Sequence, residues 1–432
     1  MSTQQHPSEA CTSILDNDLY KFTMQQAVRQ HYPDTPCDYS FTNRSPDLTR
    51  LPHSALPWLK QKIQDMALLR LTHQERAFLE ANCPYFTKDY LDWLQNDFRF
   101  QPEEQIKIHW HEGQAETRGN GMKEAVEITV IGDWHQVILY EVPILALVAE
   151  AYYRFGDKDW SYEGQFDAAR TKAQRLVDAG AKFAEFGTRR RRDYETQRIV
   201  LEGLVAGSGL GSGAQQSGKG FLTGTSNLHF AHVMNLAPIG TMAHEWYMGI
   251  AAILRDASQA NQVGLERWAS TYPGQALGIA LTDTFTTEAF LKTFKGALAR
   301  DWIGVRHDSG DPFEFMDRII QHYDQDTLVG PVLRRTKKIV FSDGLNTDRA
   351  IRLQQMADSK GIQATFGIGT HFTNDYCHLE HEKGSPSTAM NIVIKIHMCA
   401  GKECVKLSDD HSKESGSAEA VAEVKRQIAT LL

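Results

Sequence analysis

Apolar positions near the start of the chain recur at helical spacing. In ILDNDLYKFTMQQAV, Leu15, Leu19 and Phe22 fall at i, i+4 and i+7, and Asp16 and Asp18 sit where carboxylates favour a helix N-terminus. The pattern predicts one amphipathic helix there. Across roughly residues 35 to 135 the spacing shortens into β-like runs, Ile106 to Trp110 and Glu127 to Ile131, separated by turn residues, which predicts a separate α/β domain. Phe166, Ala169, Ala173, Leu176 and Val177 then share one helical face with Gly180 at its end, followed by a strand-like Lys182 to Phe186.

Beyond residue 275 the pattern becomes regular. Strand-like Leu277 to Leu281, Trp302 to Val305, Ile339 to Phe341 and Gln363 to Phe366 alternate with helical TTEAFLKTF, DPFEFMDRIIQHY and TDRAIRLQQMADSKG. Alternation of this kind predicts a parallel βαβ architecture with ligands at the carboxyl ends of the strands. Each strand ends in a polar or glycine-rich signature: LTDTF (Asp283, Thr284), RHDSGD (Arg306, Asp308, Ser309, Gly310, Asp311), SDG (Ser342, Asp343, Gly344) and GIGT (Gly367, Gly369, Thr370). Turn and N-cap chemistry accounts for any one of them. Four in register resemble a sugar-phosphate and pyrophosphate site, in which glycines admit phosphate to backbone N–H groups and aspartates can hold a divalent cation or ribose hydroxyls.

Composition narrows the partners. The 432 residues are 41% hydrophobic with a formal net charge of -8, which argues against a nucleic-acid track, so phosphate binding is local. The run FGTRRRRD is followed at once by Asp193 and Glu195, and Arg189 is the arginine assigned to a local anion site. The stretch AGSGLGSGAQQSGKG, residues 206–220, lacks GxGxxG and reads as a flexible loop. His229 and His232 have no visible third metal ligand and read as structural, whereas His244 follows the Gly240-Thr241 turn and projects into the mouth. Six cysteines without a CxxC pair predict reduced thiols in a cytoplasm. The apolar stretch Val137 to Ala149, interrupted by Tyr140, Glu141 and Pro143, predicts no membrane span.

Taken together, LDNDLYKFTM, EFGTRRRRD, GTSN, GTMAHEW, DTF, RHDSGDP, FSDGLN and GIGT resemble nicotinate phosphoribosyltransferases of the bacterial type, in family order from about residue 13 to 410. The resemblance implies an irregular parallel-stranded α/β barrel over residues 151–375, with a second α/β domain built from residues 1–150 and a returning segment 376–432. It implies transfer of phosphoribose from 5-phosphoribosyl-1-pyrophosphate to nicotinate in NAD salvage, with Mg²⁺ as cofactor and ATP as co-substrate. It also implies a homodimer in which Tyr20 comes from the neighbouring subunit and faces Phe186 across the pyridine ring. By the same resemblance Arg306 and Thr241 surround nicotinate, Gly369 and Thr370 hold the ribose 5-phosphate, and ATP phosphorylates His244. Gly344 and Ser309 belong to the substrate loops, and Asp283 and Asp308 are the candidate Mg²⁺ ligands. Ser226 stands where relatives that use the neutral amide carry an acidic residue, which favours the acid as substrate. The alternatives are a nicotinamide phosphoribosyltransferase and, from another class, a phosphate- or RNA-binding protein with FGTRRRRD as its patch.

Overall fold

The computed structural model describes residues 11–111, 126–209, 220–380 and 383–432. Its frame is two sheets of opposite character. The strands are β1 (Pro36–Asn43), β2 (Ile106–Trp110), β3 (Val126–Asp133), β4 (Lys182–Glu185), β5 (Phe221–Thr225), β6 (Ile279–Leu281), β7 (Gly304–His307), β8 (Lys338–Phe341), β9 (Gln363–Ile368), β10 (Tyr376–Cys377), β11 (Pro386–Ser387), β12 (Ile392–Cys399) and β13 (Lys402–Glu403). An antiparallel sheet runs β13-β12-β1-β3-β2, so chain from both ends of the sequence meets where Phe41 pairs with Ile394. In β1, Cys37, Tyr39, Phe41 and Asn43 are the buried positions, the period of two expected of a strand with one covered face. β10 and β11 form a small separate hairpin.

The second sheet is parallel, in the order β5-β4-β9-β8-β7-β6. This is the architecture that the strand–helix alternation predicts. Among the described residues no ladder joins β5 to β6; between them the chain runs as helices Leu228–Val233, His244–Leu254 and Ala260–Thr271. Because all six strands point one way, the FGT, GTSN, DTF, RHDSGD, SDG and GIGT segments emerge at one edge.

Three expectations change. The first helix begins at Leu19, not Leu15, because the polar residues before it are spent on tertiary partners. Asp16 holds Arg191, the Asn17 amide donates to Leu139 O, and Asp18 accepts from Ser226 instead of capping its own helix. The apolar run near Val137 belongs to a helical stretch, Trp134–Phe155, long and apolar enough to cross a membrane, but 89% of its most apolar 18-residue window is buried inside the protein as core. Tyr140 and Glu141 do not interrupt it. Of the predicted loop, 206–208 end the helix Tyr194–Ser208, and 210–219 lie outside the described residues.

Candidate active site

A cavity of about 920 Å³ opens between the two sheets. Tyr20, Phe186, Arg189, Thr241, His244, Arg306, Asp308, Gly344, Gly369 and Thr370 all line it. Segments that are far apart in the sequence thus converge because parallel strands deliver their C-terminal loops to the same edge. Tyr20 reaches the cavity from the Leu19–His31 helix of the same chain. That helix is docked by Leu19 N donating to Ser226 O at 2.8 Å and by the Thr23 hydroxyl donating to Thr241 O at 2.6 Å. Gly240, at φ +154°, lets it come close, since a Cβ there would lie 3.2 Å from Tyr20 N. The expectation that Tyr20 is supplied by a neighbouring subunit is therefore corrected: the aromatic already stands in its own chain's cavity. Phe186 leaves the end of β4, and its ring occupies the space that a side chain at Gly367 would need, 3.2 Å from the ideal Cβ.

The four arginines go four ways. Arg189 faces the cavity and lies 3.4 Å from Glu141. Arg190 lines the cavity and donates to Asn391 and Ile392 O. Arg191 is buried in a two-pronged pair with Asp16, at 2.8 and 2.6 Å, and Arg192 is buried among Tyr153, Trp160 and Tyr376. Two members of the run, Arg189 and Arg190, therefore line the cavity while Arg191 and Arg192 hold the fold from inside, so the run is not a surface patch.

His244 begins its helix, and three groups hold its ring. Nδ1 meets Thr284 Oγ1 at 3.0 Å; Nε2 meets Asp308 Oδ2 at 2.9 Å and Lys406 Nζ at 2.9 Å. Burial and then Lys406 push its pKa down, with Asp283 and Asp308 opposing, so the ring is neutral near pH 7. Asp308 is held well below the usual carboxylate range: burial opposes this, but Arg306, His244 and Lys406 outweigh it. Arg306 is fixed in turn by donating to Ser342 Oγ at 2.8 Å, Met242 O at 3.0 Å and Asp308 at 3.0 Å.

Three predicted site residues stand behind the wall. Asp283 is 4.0 Å from His244 Nε2 and 3.5 Å from Lys406. Ser309 donates to Asp283 at 2.5 Å. Ser226 is fully buried and donates to Asp18 at 2.7 Å, so its expected place beside the substrate's carboxylate is corrected; the short Ser226 side chain is consumed by its neighbour. His229, bonded to Tyr194, and His232, against Phe78, occupy structural positions. Among the described residues no three His, Cys, Asp or Glu are grouped to hold a metal ion by themselves.

The sequence reading missed the cations on the opposite wall. Arg44 follows β1, Lys395 lies on β12, and Lys406 and Lys413 follow β13. Burial, then Arg44 and Lys406, push Lys395 down to about 8. Lys413 pairs with Asp343 at 2.5 Å. Nothing in their local spacing marks them, because it is the antiparallel pairing of the chain ends that carries them over the mouth.

The parallel-stranded α/β fold thus gathers cations, two aromatic rings and a histidine in a charged network around one cavity. The comparisons are specific. The chain belongs to the nicotinate phosphoribosyltransferase (NAPRTase) family, whose N-terminal domain matches residues 15–149 and whose main region matches 181–430. A Schizosaccharomyces pombe protein is 44% identical over 425 residues, 97% of this chain and 98% of its own. The nicotinate phosphoribosyltransferase of Saccharomyces cerevisiae is 40% identical over 417 residues, 96% of this chain and 94% of its own. A solved structure from Saccharomyces cerevisiae matches with a TM-score of 0.90 at 39% identity, covering 98% of this chain and 100% of that one.

Proposed function

We propose that the protein joins nicotinate to 5-phosphoribosyl-1-pyrophosphate, giving nicotinate mononucleotide and pyrophosphate for NAD synthesis, and couples this to ATP hydrolysis through His244. The observation that carries the reading is that His244 shares one cavity with the Tyr20 and Phe186 rings and with cations from both sheets. The pyridine lies between the two rings, a favourable burial for a flat apolar face. Its carboxylate points to Arg189 and its nitrogen to the anomeric carbon. Because the pyridine nitrogen is already a nucleophile, no general base is required; the C–O bond to pyrophosphate breaks as the N–C bond forms. Arg190, Arg44, Lys395 and Lys413 balance the leaving group's charge. The loop at Gly369 and Thr370 takes the 5-phosphate.

For coupling, a neutral imidazole attacks the γ-phosphorus of ATP, the N–P bond forms and ADP leaves. Lys406 can only donate, so it selects the form in which Nε2 carries the lone pair and Nδ1–H donates to Thr284. The Asp308 carboxylate can only accept, and it favours the opposite form once the ring must be reprotonated. Mg²⁺ fits this site as an ion carried by substrate phosphates, because Asp308 is already tied to Arg306 and His244 while Asp283 keeps one buried, unbonded oxygen, Oδ1. Bound there, it would neutralise pyrophosphate. The test is product formation from labelled nicotinate with 5-phosphoribosyl-1-pyrophosphate and Mg²⁺, with nicotinamide run in parallel. Nicotinate mononucleotide is the expected product, and exclusive use of nicotinamide would overturn the assignment.

A further inference from the structure

Lys21 follows Tyr20 in the sequence, yet its ammonium is wholly buried and pairs with both Glu141 and Glu245. Both carboxylates line the cavity. Glu141 also faces Arg189 at 3.4 Å, while Glu245 accepts from Tyr39 at 3.2 Å and from Trp134 at 3.4 Å. One ammonium therefore ties together the helix that presents Tyr20, the start of the helix Glu141–Phe155 and the first turn of the helix that presents His244. A buried ion triad of this kind is a weak source of stability compared with apolar packing, so its informative feature is where it stands.

The balance of charge at this end of the cavity is close. Lys21 and Arg189 oppose Glu141 and Glu245, the buried Asp18 acts on Arg189 from behind the wall, and Arg306 is already paired with Asp308. Without Lys21 the wall would carry an excess negative charge beside the two rings, and Arg189 would be drawn further onto the carboxylates. An anionic pyridine is sensitive to that excess, and a neutral one of the same shape is not.

We propose that Lys21 is a specificity-determining positioning residue, whose buried ammonium cancels the cavity-lining Glu141 and Glu245 and so sets the preference for an anionic over a neutral pyridine; this rests on the base lying between Tyr20 and Phe186. Lys21 Nζ lies 5.9 Å from the centre of the Tyr20 ring, so its charge stands close to the aromatic wall of the cavity.

The test uses the full-length enzyme, with KM for nicotinate and Ki for nicotinamide as a competing ligand, and folding checked by thermal melting. Lys21→Met raises the nicotinate KM about 10-fold while the nicotinamide Ki moves less than about 3-fold. The double variant Lys21→Met/Glu245→Gln restores most of the nicotinate KM by removing the uncompensated charge. Equal changes for both ligands, or no recovery in the double variant, overturn the proposal. If Lys21→Met does not fold, Glu245→Gln alone decides: the nicotinate KM falls several-fold and the nicotinamide Ki stays put, whereas a rise or no change in the nicotinate KM overturns it. Tyr20→Ala and Phe186→Ala weaken both ligands. If they weaken neither while the wild type still consumes nicotinate, the placement of the base fails and the proposal falls with it.

Discussion

His244 shows how one side chain takes its chemistry from its neighbours. Lys406, Asp308, Asp283 and Thr284 all face its ring, and of these Lys406 is the group that lowers its pKa beyond what burial does. A lowered histidine pKa keeps the nucleophilic form populated below the usual range, so the proposed phosphorylation is expected to persist into mildly acid solution. Lys406→Met removes that influence and leaves the two carboxylates, so the acid limb of the phosphorylation rate moves to higher pH. A limb that does not move would show that Lys406 does not tune the ring. Ser226 teaches the opposite lesson. With its hydroxyl given to Asp18 in a fully buried position, Ser226→Asp sets two carboxylates against each other inside the protein. The expected result is a loss of about 3–5 kcal/mol of stability. A thermal melt decides it: an unchanged melting temperature with a shifted nicotinate-to-nicotinamide ratio would return Ser226 to the pocket.

At the scale of elements, the Leu19–His31 helix is the piece whose placement differs most from expectation. It is bonded to Ser226 O and Thr241 O of its own chain and lies close against Gly240, so Tyr20 completes the site within one chain. Tyr20→Ala is expected to weaken nicotinate binding by about 1–3 kcal/mol. Mixing Tyr20→Ala with Arg306→Ala subunits is expected to recover no activity; recovery after subunit exchange would put the aromatic back in the partner. The parallel sheet was legible because βα units repeat a short apolar run followed by an amphipathic helix, and β2 follows the predicted Ile106 to Trp110. The strand-end motifs were legible because turn residues cluster there, and they supply Arg306, Asp308, Gly344, Gly369 and Thr370. Arg44, Lys395, Lys406 and Lys413 were not, because what brings them to the cavity is the pairing of β1 with β12 across more than three hundred residues, which leaves no local trace.

The whole molecule is held by chain ends brought over the edge of the parallel sheet, and one buried pair reports on that assembly. Asp16, ahead of the Tyr20 helix, is lowered from 3.8 to about 2; burial opposes this, but the Arg191 guanidinium more than offsets it. The depressed carboxyl contributes about 2 kcal/mol that is fully present above pH 4 and is lost as pH falls toward 2. Acid unfolding of Asp16→Asn is expected to be shallower over that window than that of the wild type, although the variant starts from lower stability. Identical slopes would remove the pair from the account. The proposed function puts transfer and coupling chemistry in one cavity, and that claim has a direct measurement. Enzyme with γ-labelled ATP is expected to form an acid-labile, base-stable phosphoprotein, and ATP is expected to stimulate nicotinate mononucleotide formation. His244→Ala should lose both the label and the stimulation while keeping slow ATP-independent transfer, because nucleophile and leaving-group contacts lie elsewhere. Label that survives His244→Ala, or transfer in that variant that still rises with ATP, would contradict the assignment of coupling to this histidine.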